Sequence, residues 1–333
     1  MARSKKLALA FVLCAAALVL AVLLSVGSVM DAAGVNYENA DRYQAGDAVV
    51  TGTVRNLDIR WVNGRVDLVY GQDSAISLKE TSDKPIRDDM RLRWYLDGET
   101  LRVRYAKSGL RLTALQEKTL TLTLPEGIAL ERADIEATSG ELNIPELTAG
   151  TLALRVTSGD ITAAAAAQTV TAASTSGNIG LKLSGKTESV KVSVTSGNVR
   201  VEAEDAGAVS AAATSGDIDL SALKAAQTDV SATTGRVTVD IAEAQRVHAD
   251  VTAGDVRIGL GAFDTLDVSA TAGNVRLKLP DSPGFTARLS TTSGTVENSM
   301  PLSHKDGSYV LGDGSGSVTV RTTSGGIRLD KRE

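Results

Sequence analysis

Residues 190–201 read VKVSVTSGNVRV, and this short stretch carries the fold of the whole chain. Val190, Val192 and Val194 alternate with polar residues, as in a strand with one buried face. Thr195-Ser196-Gly197-Asn198 interrupts the alternation, and Val199 and Val201 resume it. Glycine followed by Asn or Asp is turn chemistry, because these residues tolerate positive φ and their short side chains bond nearby backbone. The unit is strand, corner, strand.

The same unit recurs along the chain. The tripeptide Thr-(Ser/Thr/Ala)-Gly begins at Thr138, Thr157, Thr175, Thr195, Thr214, Thr233, Thr252, Thr271, Thr292 and Thr323, at intervals of 19, 18, 20, 19, 19, 19, 19, 21 and 31. The last interval is one period plus an insertion of 12. The corner glycines are Gly140, Gly159, Gly177, Gly197, Gly216, Gly235, Gly254, Gly273, Gly294 and Gly325. Two short strands in about 19 residues cannot bury a core alone, whereas stacked coils bury a continuous one. The expected fold is therefore all-β, a parallel β-solenoid (β-helix-like) of roughly 48 Å for ten coils at about 4.8 Å each. Many inward positions are alanine (Ala172, Ala211, Ala213, Ala232, Ala270), so the interior is expected to be narrow. The alanine-rich stretches 162–168 and 221–227 read as return loops, and the Thr column is expected to stack from coil to coil.

Residues 136–333 form the repeat region, and residues 45–135 differ from it. They hold both tryptophans, Trp61 and Trp94, and alternate strongly in LDIRWVNGRVDLVY, MRLRWYLDGETLRVRY and KTLTLTLP. Hairpin turns are expected at Asn63-Gly64 and Asp97-Gly98. Gly64 precedes Gly140 by 76 residues, four periods of 19, so this segment reads as an N-terminal β cap on the same rod. Residues 297–318 are a Gly/Ser-rich excursion before the closing TTSGGIRL.

Residues 7–30 carry no charge, and about 20 apolar residues suffice to cross a bilayer. Arg3, Lys5 and Lys6 in the tail 1–6 precede the run and Asp31 follows it, so the positive-inside rule leaves the N-terminus cytoplasmic and residues 31–333 extracytoplasmic. One transmembrane helix, a signal anchor, is the expectation, with residues 31–44 as linker. The rival is a cleaved signal peptide ending near Ser25-Val26-Gly27, but its apolar region is usually shorter, about 7–15 residues.

Beyond residue 30 the chain has 32 basic and 40 acidic residues, a net charge of −8, which argues against a nucleic-acid partner. The single cysteine, Cys14, lies in the apolar run, and the two histidines are His248 and His304. Neither a disulfide nor a Cys-based metal site is available to the rest of the chain. No cofactor, metal or catalytic residue is implied.

An apolar N-terminus, the opening LDIRWVNGRVDLVY, the step Leu124-Pro125 and TSG(D/N)-(I/V) repeats ending in TTSGGIRL resemble the bacterial "putative adhesin" family of β-strand-repeat proteins, a domain of unknown function. The resemblance covers roughly residues 45–330. It implies an envelope-exposed β-solenoid engaged in adhesion or cell-envelope stress sensing, and brings no catalytic residues. Arg236, Thr295 and Gly326 stand where the family pattern has Asp or Asn.

Asp160, Asp217 and Asp255 at the corners invite a calcium reading, but one Asp or Asn per coil falls short of the oxygens such a loop needs. Asp217 and Asp219 are the nearest carboxylate pair for a carbohydrate-active enzyme, and one sits in a corner while the other lies on an outward strand face. The row Arg200, Asp219, Thr238, Arg257 and Arg276 occupies one outward place on successive coils. Such a ladder suits an anionic cell-wall or host-surface polymer, and ordinary solubilising surface is its plain alternative. Sequence thus points to a non-catalytic binding, adhesion or envelope-sensing module, an envelope protein being the other kind of partner. A structural spacer is the alternative and a solenoid enzyme the third reading.

Overall fold

The computed structural model describes residues 37–109, 116–305 and 307–332; the expected tail 1–6, membrane segment 7–30 and first part of the linker lie outside them. Among the described residues no helix is long and apolar enough to cross a membrane. Apart from a 3-10 turn at Ala40–Arg42, their regular structure is β throughout.

The centre of the chain is a stack of parallel coils. Strands Ile179–Ser196, Val199–Ser215, Ile218–Thr234 and Val237–Ala253 each trace almost a whole coil. Their register is one period: Val199 lies beside Ile218, Ile218 beside Val237, and Val237 beside Val256. Alternate residues point inward, and in Val199–Ser215 the buried set is Val199, Val201, Ala206, Val209, Ala211 and Ala213. The odd positions give way to Ala206 and then resume, which marks a bend where the coil returns. Every coil presents the same places of its 19-residue unit to the inside, so one apolar core runs the length of the stack. The architecture is solenoid-like.

The alanine runs are strand rather than loop. Ile161–Ser176 is continuous, with Ala163, Ala165 and Ala167 buried and alternating with outward residues. Where facing segments of a coil stand close, a methyl group fills the space, and burial on one face overrides the helix preference of alanine.

Both ends depart from sequence order. Strand Asn56–Gly71 stacks directly on Ala129–Ile144, Gly64 beside Gly140. Residues 72–128, three periods long, fold outward and cap that coil. Thr100–Arg104 and Lys118–Pro125 form the outermost parallel layer on it. Arg93–Asp97 pairs antiparallel with the first of these and Ile76–Thr81 with the second. Asn63-Gly64 is therefore a corner rather than a hairpin turn, while Asp97 and Gly98 do lead a hairpin. The strand Ala129–Ile144 runs through the expected boundary at 135/136, so cap and repeats share one core. At the end of the expected linker, Tyr37 and Tyr43 pack ring to ring against the cap, and the Tyr37 hydroxyl donates to the Ala106 carbonyl at 3.1 Å.

At the other end Gly316–Ser324 and Ile327–Lys331 slot in beside Thr265–Ala272 and Val275–Leu279. Gly284–Ser293 and Val296–Asn298, earlier in sequence, form the last coil outside them. The Gly/Ser-rich excursion is structured: Ser303–Lys305 and Ser308–Gly312 form an antiparallel hairpin, and Met300 is buried against the end coil.

Candidate binding face

The corners explain two residue columns at once. Nine of the ten expected corner glycines, all but Gly294, have φ between +134° and +155°. The stacking is as demanding as the dihedral: a Cβ on Gly216 would stand 1.9 Å from the carbonyl oxygen of Gly197 in the neighbouring coil. Gly294 meets Gly325 in the same way, at 2.1 Å. The next column is a side-chain to backbone ladder. Oδ1 of Asp160 accepts from the Asn178 amide (2.7 Å), Asn178 from Asn198 (3.0 Å), Asn198 from Asp217 (2.9 Å) and Asp217 from Arg236 (2.7 Å). Asp255 serves Asn274 in the same way, and Asn274 serves Gly326. The corner acids thus bond the next coil, not their own turn. Among the described residues there is no group of three or more His, Cys, Asp or Glu placed to hold a metal ion. Asp217 is committed to Arg236, and Asp219 stands apart on the outward face, an arrangement without a catalytic pair converging on a groove.

The outward row is in register as its spacing requires. Arg200 lies beside Asp219, then Thr238, Arg257 and Arg276 follow on neighbouring strands. The row then continues through Arg328 and ends at Glu297, because the last strands stack out of order. Arg200 is paired along its own strand with Glu202 at 3.0 Å. Arg276 and Arg328 converge on Asp330, at 2.8 and 3.0 Å. Burial alone would raise the Asp330 carboxyl, but hydrogen bonds from Arg328 and Arg276 outweigh it and hold the carboxyl below its ordinary range. Arg257, Arg276 and Arg328 line a shallow groove with Glu297 at its far side and Asp255 on its corner rim. The register also sets Thr214 beside Thr233 in the expected Thr column, flanked by the pairs Ala213/Ala232 and Ser215/Thr234.

The model of the family described as Toastrack DUF4097 matches residues 54–264 and again 167–330. The chain belongs to this family. The two matches start 113 residues apart, within one residue of six periods, as expected when a model of repeated coils can be laid on the same stack at more than one register. No curated protein matches the chain significantly. Among solved structures, a "putative adhesin" from Parabacteroides merdae is similar at 13% identity, covering 88% of this chain and 97% of its own, with a TM-score of 0.43. Another from Parabacteroides distasonis has 12% identity, coverage of 87% and 97%, and a TM-score of 0.34. A "putative cell adhesion protein" from Clostridium sporogenes has 11% identity, coverage of 87% and 100%, and a TM-score of 0.20.

In this Toastrack chain, sequence spacing brought Arg200, Asp219, Arg257 and Arg276 into one row but missed Arg328, which a 31-residue interval hides. It also missed an ion lattice near the N-terminal end. Asp58 is gripped by Arg60 (3.0 Å), Arg102 (2.9 Å) and Arg104 (2.8 Å). Arg60 reaches on to Asp134 and Glu136, which both bind Arg155. Burial alone would raise the Asp58 carboxyl, yet Arg104 and Arg60 outweigh it and hold it below the usual carboxylate range. Aligning residues 58–60 with 134–136 at four periods would have exposed the Asp58, Arg60, Asp134 and Glu136 part of this lattice, but not Arg102 and Arg104, which the excursion brings in. Deeper in the cap, the fully buried Lys118 ammonium meets Glu80 at 2.9 Å and lies 4.0 Å from the centre of the Tyr105 ring. No local motif announces that pair.

Proposed function

We propose that the chain is a membrane-anchored binding module, a parallel β-solenoid held outside the cell by residues 7–30 and acting in adhesion or envelope sensing without catalysis. The observation that carries the reading is the in-register outward row, with Arg257, Arg276 and Arg328 on three consecutive strands. Guanidinium groups in a flat, regular array suit an extended anionic partner better than a compact ligand. Family membership agrees with a non-catalytic repeat protein.

The test is co-sedimentation of the full chain, in mild detergent, with isolated bacterial envelopes and with host-surface glycans. The expected result is retention at low salt that weakens at high salt, since exposed charges are screened over about 8–10 Å. Retention lost in the variant Arg257→Ser/Arg276→Ser/Arg328→Ser supports the face. Absence of retention on every surface removes the reading and leaves the spacer. One observation favours the spacer: Arg200, Arg276 and Arg328 already have acidic partners on the rod itself.

A further inference from the structure

On the outward face around Arg276, one cation of the row and one beside it differ from the rest. Arg276 and Arg328 are balanced by Asp330 and Glu297. Asp255, on the groove rim, has its Oδ1 turned to the Asn274 amide. The side chains of Arg257 and Lys278, by contrast, have no ion pair or hydrogen bond among the described residues. Both are exposed on the same outward face, Arg257 beside Arg276 on the neighbouring strand and Lys278 two residues along Arg276's own strand, in register with Asp330. Arg200 is remote from them, since the strands bearing Asp219 and Thr238 intervene.

Strand spacing fixes the separation of their Cα atoms. Neighbouring strands stand about 4.8 Å apart and alternate residues about 6.6 Å along a strand, so Arg257 and Lys278 lie about 8 Å apart on a diagonal, with Arg276 at the corner. A single small anion would have to draw both long side chains inward from that spacing. A chain of anionic groups repeating every several ångströms meets both at that spacing, and Arg276 at the corner, its Nε and Nη2 held by Asp330, offers its remaining Nη1.

Resting on the binding reading above, we infer that Arg257, Arg276 and Lys278 form a discrete site for a linear phosphodiester polymer, engaged by at least two successive phosphates. The sequence row placed the contact along the whole rod from Arg200; the structure concentrates it at the C-terminal end. Lys278 enters because it flanks Arg276 on the same strand, and Arg200 leaves because Glu202 and two intervening strands separate it.

The test uses the full chain in detergent and a fluorescein-tagged glycerol-phosphate decamer, read by fluorescence anisotropy at low salt. Arg257→Ser/Lys278→Ser is expected to weaken binding by about tenfold without moving the melting temperature, because each exposed charged contact is worth about a factor of three and two are lost. Arg257→Lys/Lys278→Arg retains binding, and Arg200→Ser leaves it unchanged. Equal losses in the double variant and in Arg200→Ser would reduce the effect to net charge and overturn the site. So would competition by inorganic phosphate as effective, per phosphate, as the decamer, or binding of heparin without the decamer. If the site fails while envelope retention persists, the wider reading stands without it. If the decamer binds but envelopes do not, the site stands and the wider reading falls.

Discussion

The two ends of the stack solve one problem with unequal means. A solenoid must cover its last coil, or a row of backbone groups and apolar side chains faces water. At the N-terminal end both outermost segments have antiparallel partners, Ile76–Thr81 on one and Arg93–Asp97 on the other. Beneath them lie Trp61, Lys118 and Glu80, with the Trp61 ring donating to the Lys118 carbonyl at 3.1 Å. At the C-terminal end antiparallel pairing covers only Gly284 to Ala287 of the last coil. Leu289 and Val296, on inward positions, are half-buried, whereas Val320 and Ile327 beneath them are buried. One end is a closed lid, the other a partial plug. The difference teaches that capping strength follows how many backbone pairs the excursion supplies, and that the weaker end should open first.

The sharpest way to break this comparison is to load the glycine column. Gly140 is clamped between Gly64 and Gly159, and its Cβ would stand 1.6 Å from the Gly64 carbonyl oxygen. Gly140→Val is expected to cost more than about 5 kcal/mol or to prevent folding, the range of severe backbone clashes. Gly294→Val makes a similar clash but on the outermost coil, which can shift, so about 1–2 kcal/mol is expected there. Urea unfolding of both variants checks the contrast, and equal losses would show that the end coil is as rigid as the interior.

Removing the buried ammonium comes next. Lys118→Met removes the cation beside Glu80 and should cost about 3–4 kcal/mol, while adding Glu80→Leu should recover only part of it, because the Leu92 amide and the Met90 and Tyr105 carbonyls lose their side-chain partners. Both tryptophans, Trp61 and Trp94, lie in the cap, so tryptophan fluorescence reports this end alone. At the other end Met300→Ala truncates the buried side chain of the excursion, with an expected loss of about 2 kcal/mol. Its mark would be faster amide exchange across residues 284–299 with the cap unaltered. A variant that loosens both ends equally would undo the distinction.

The smallest effect is one of acidity. The Asp58 carboxyl is held below its ordinary value, so its contribution to stability is complete above about pH 4 and is lost as pH falls through the lower, folded value. The urea midpoint read at the tryptophans should drop in that window, and Asp58→Asn, lower throughout, should flatten the dependence. An unchanged slope in Asp58→Asn would assign the acid sensitivity to other carboxylates.

The alternation around TSGN and the recurring interval of about 19 residues were enough to define the coil, its corner and its outward rows by themselves. The reason is geometric: where coils of equal length follow one another directly, a residue pairs with the one a period on, so residues at that spacing share a column. Even the distant match of Gly64 and Gly140 obeys it. Tertiary structure alone decided which coils touch at the ends, since an excursion of tens of residues adds little to the cost of closure and leaves the stacking order to whichever apolar face remains uncovered. It therefore placed Arg328 beside Arg276, turned the corner Asp and Asn side chains to the next coil, and enclosed Lys118 with Glu80. Each of these rests on partners brought together by stacking, a relation that local alternation does not encode.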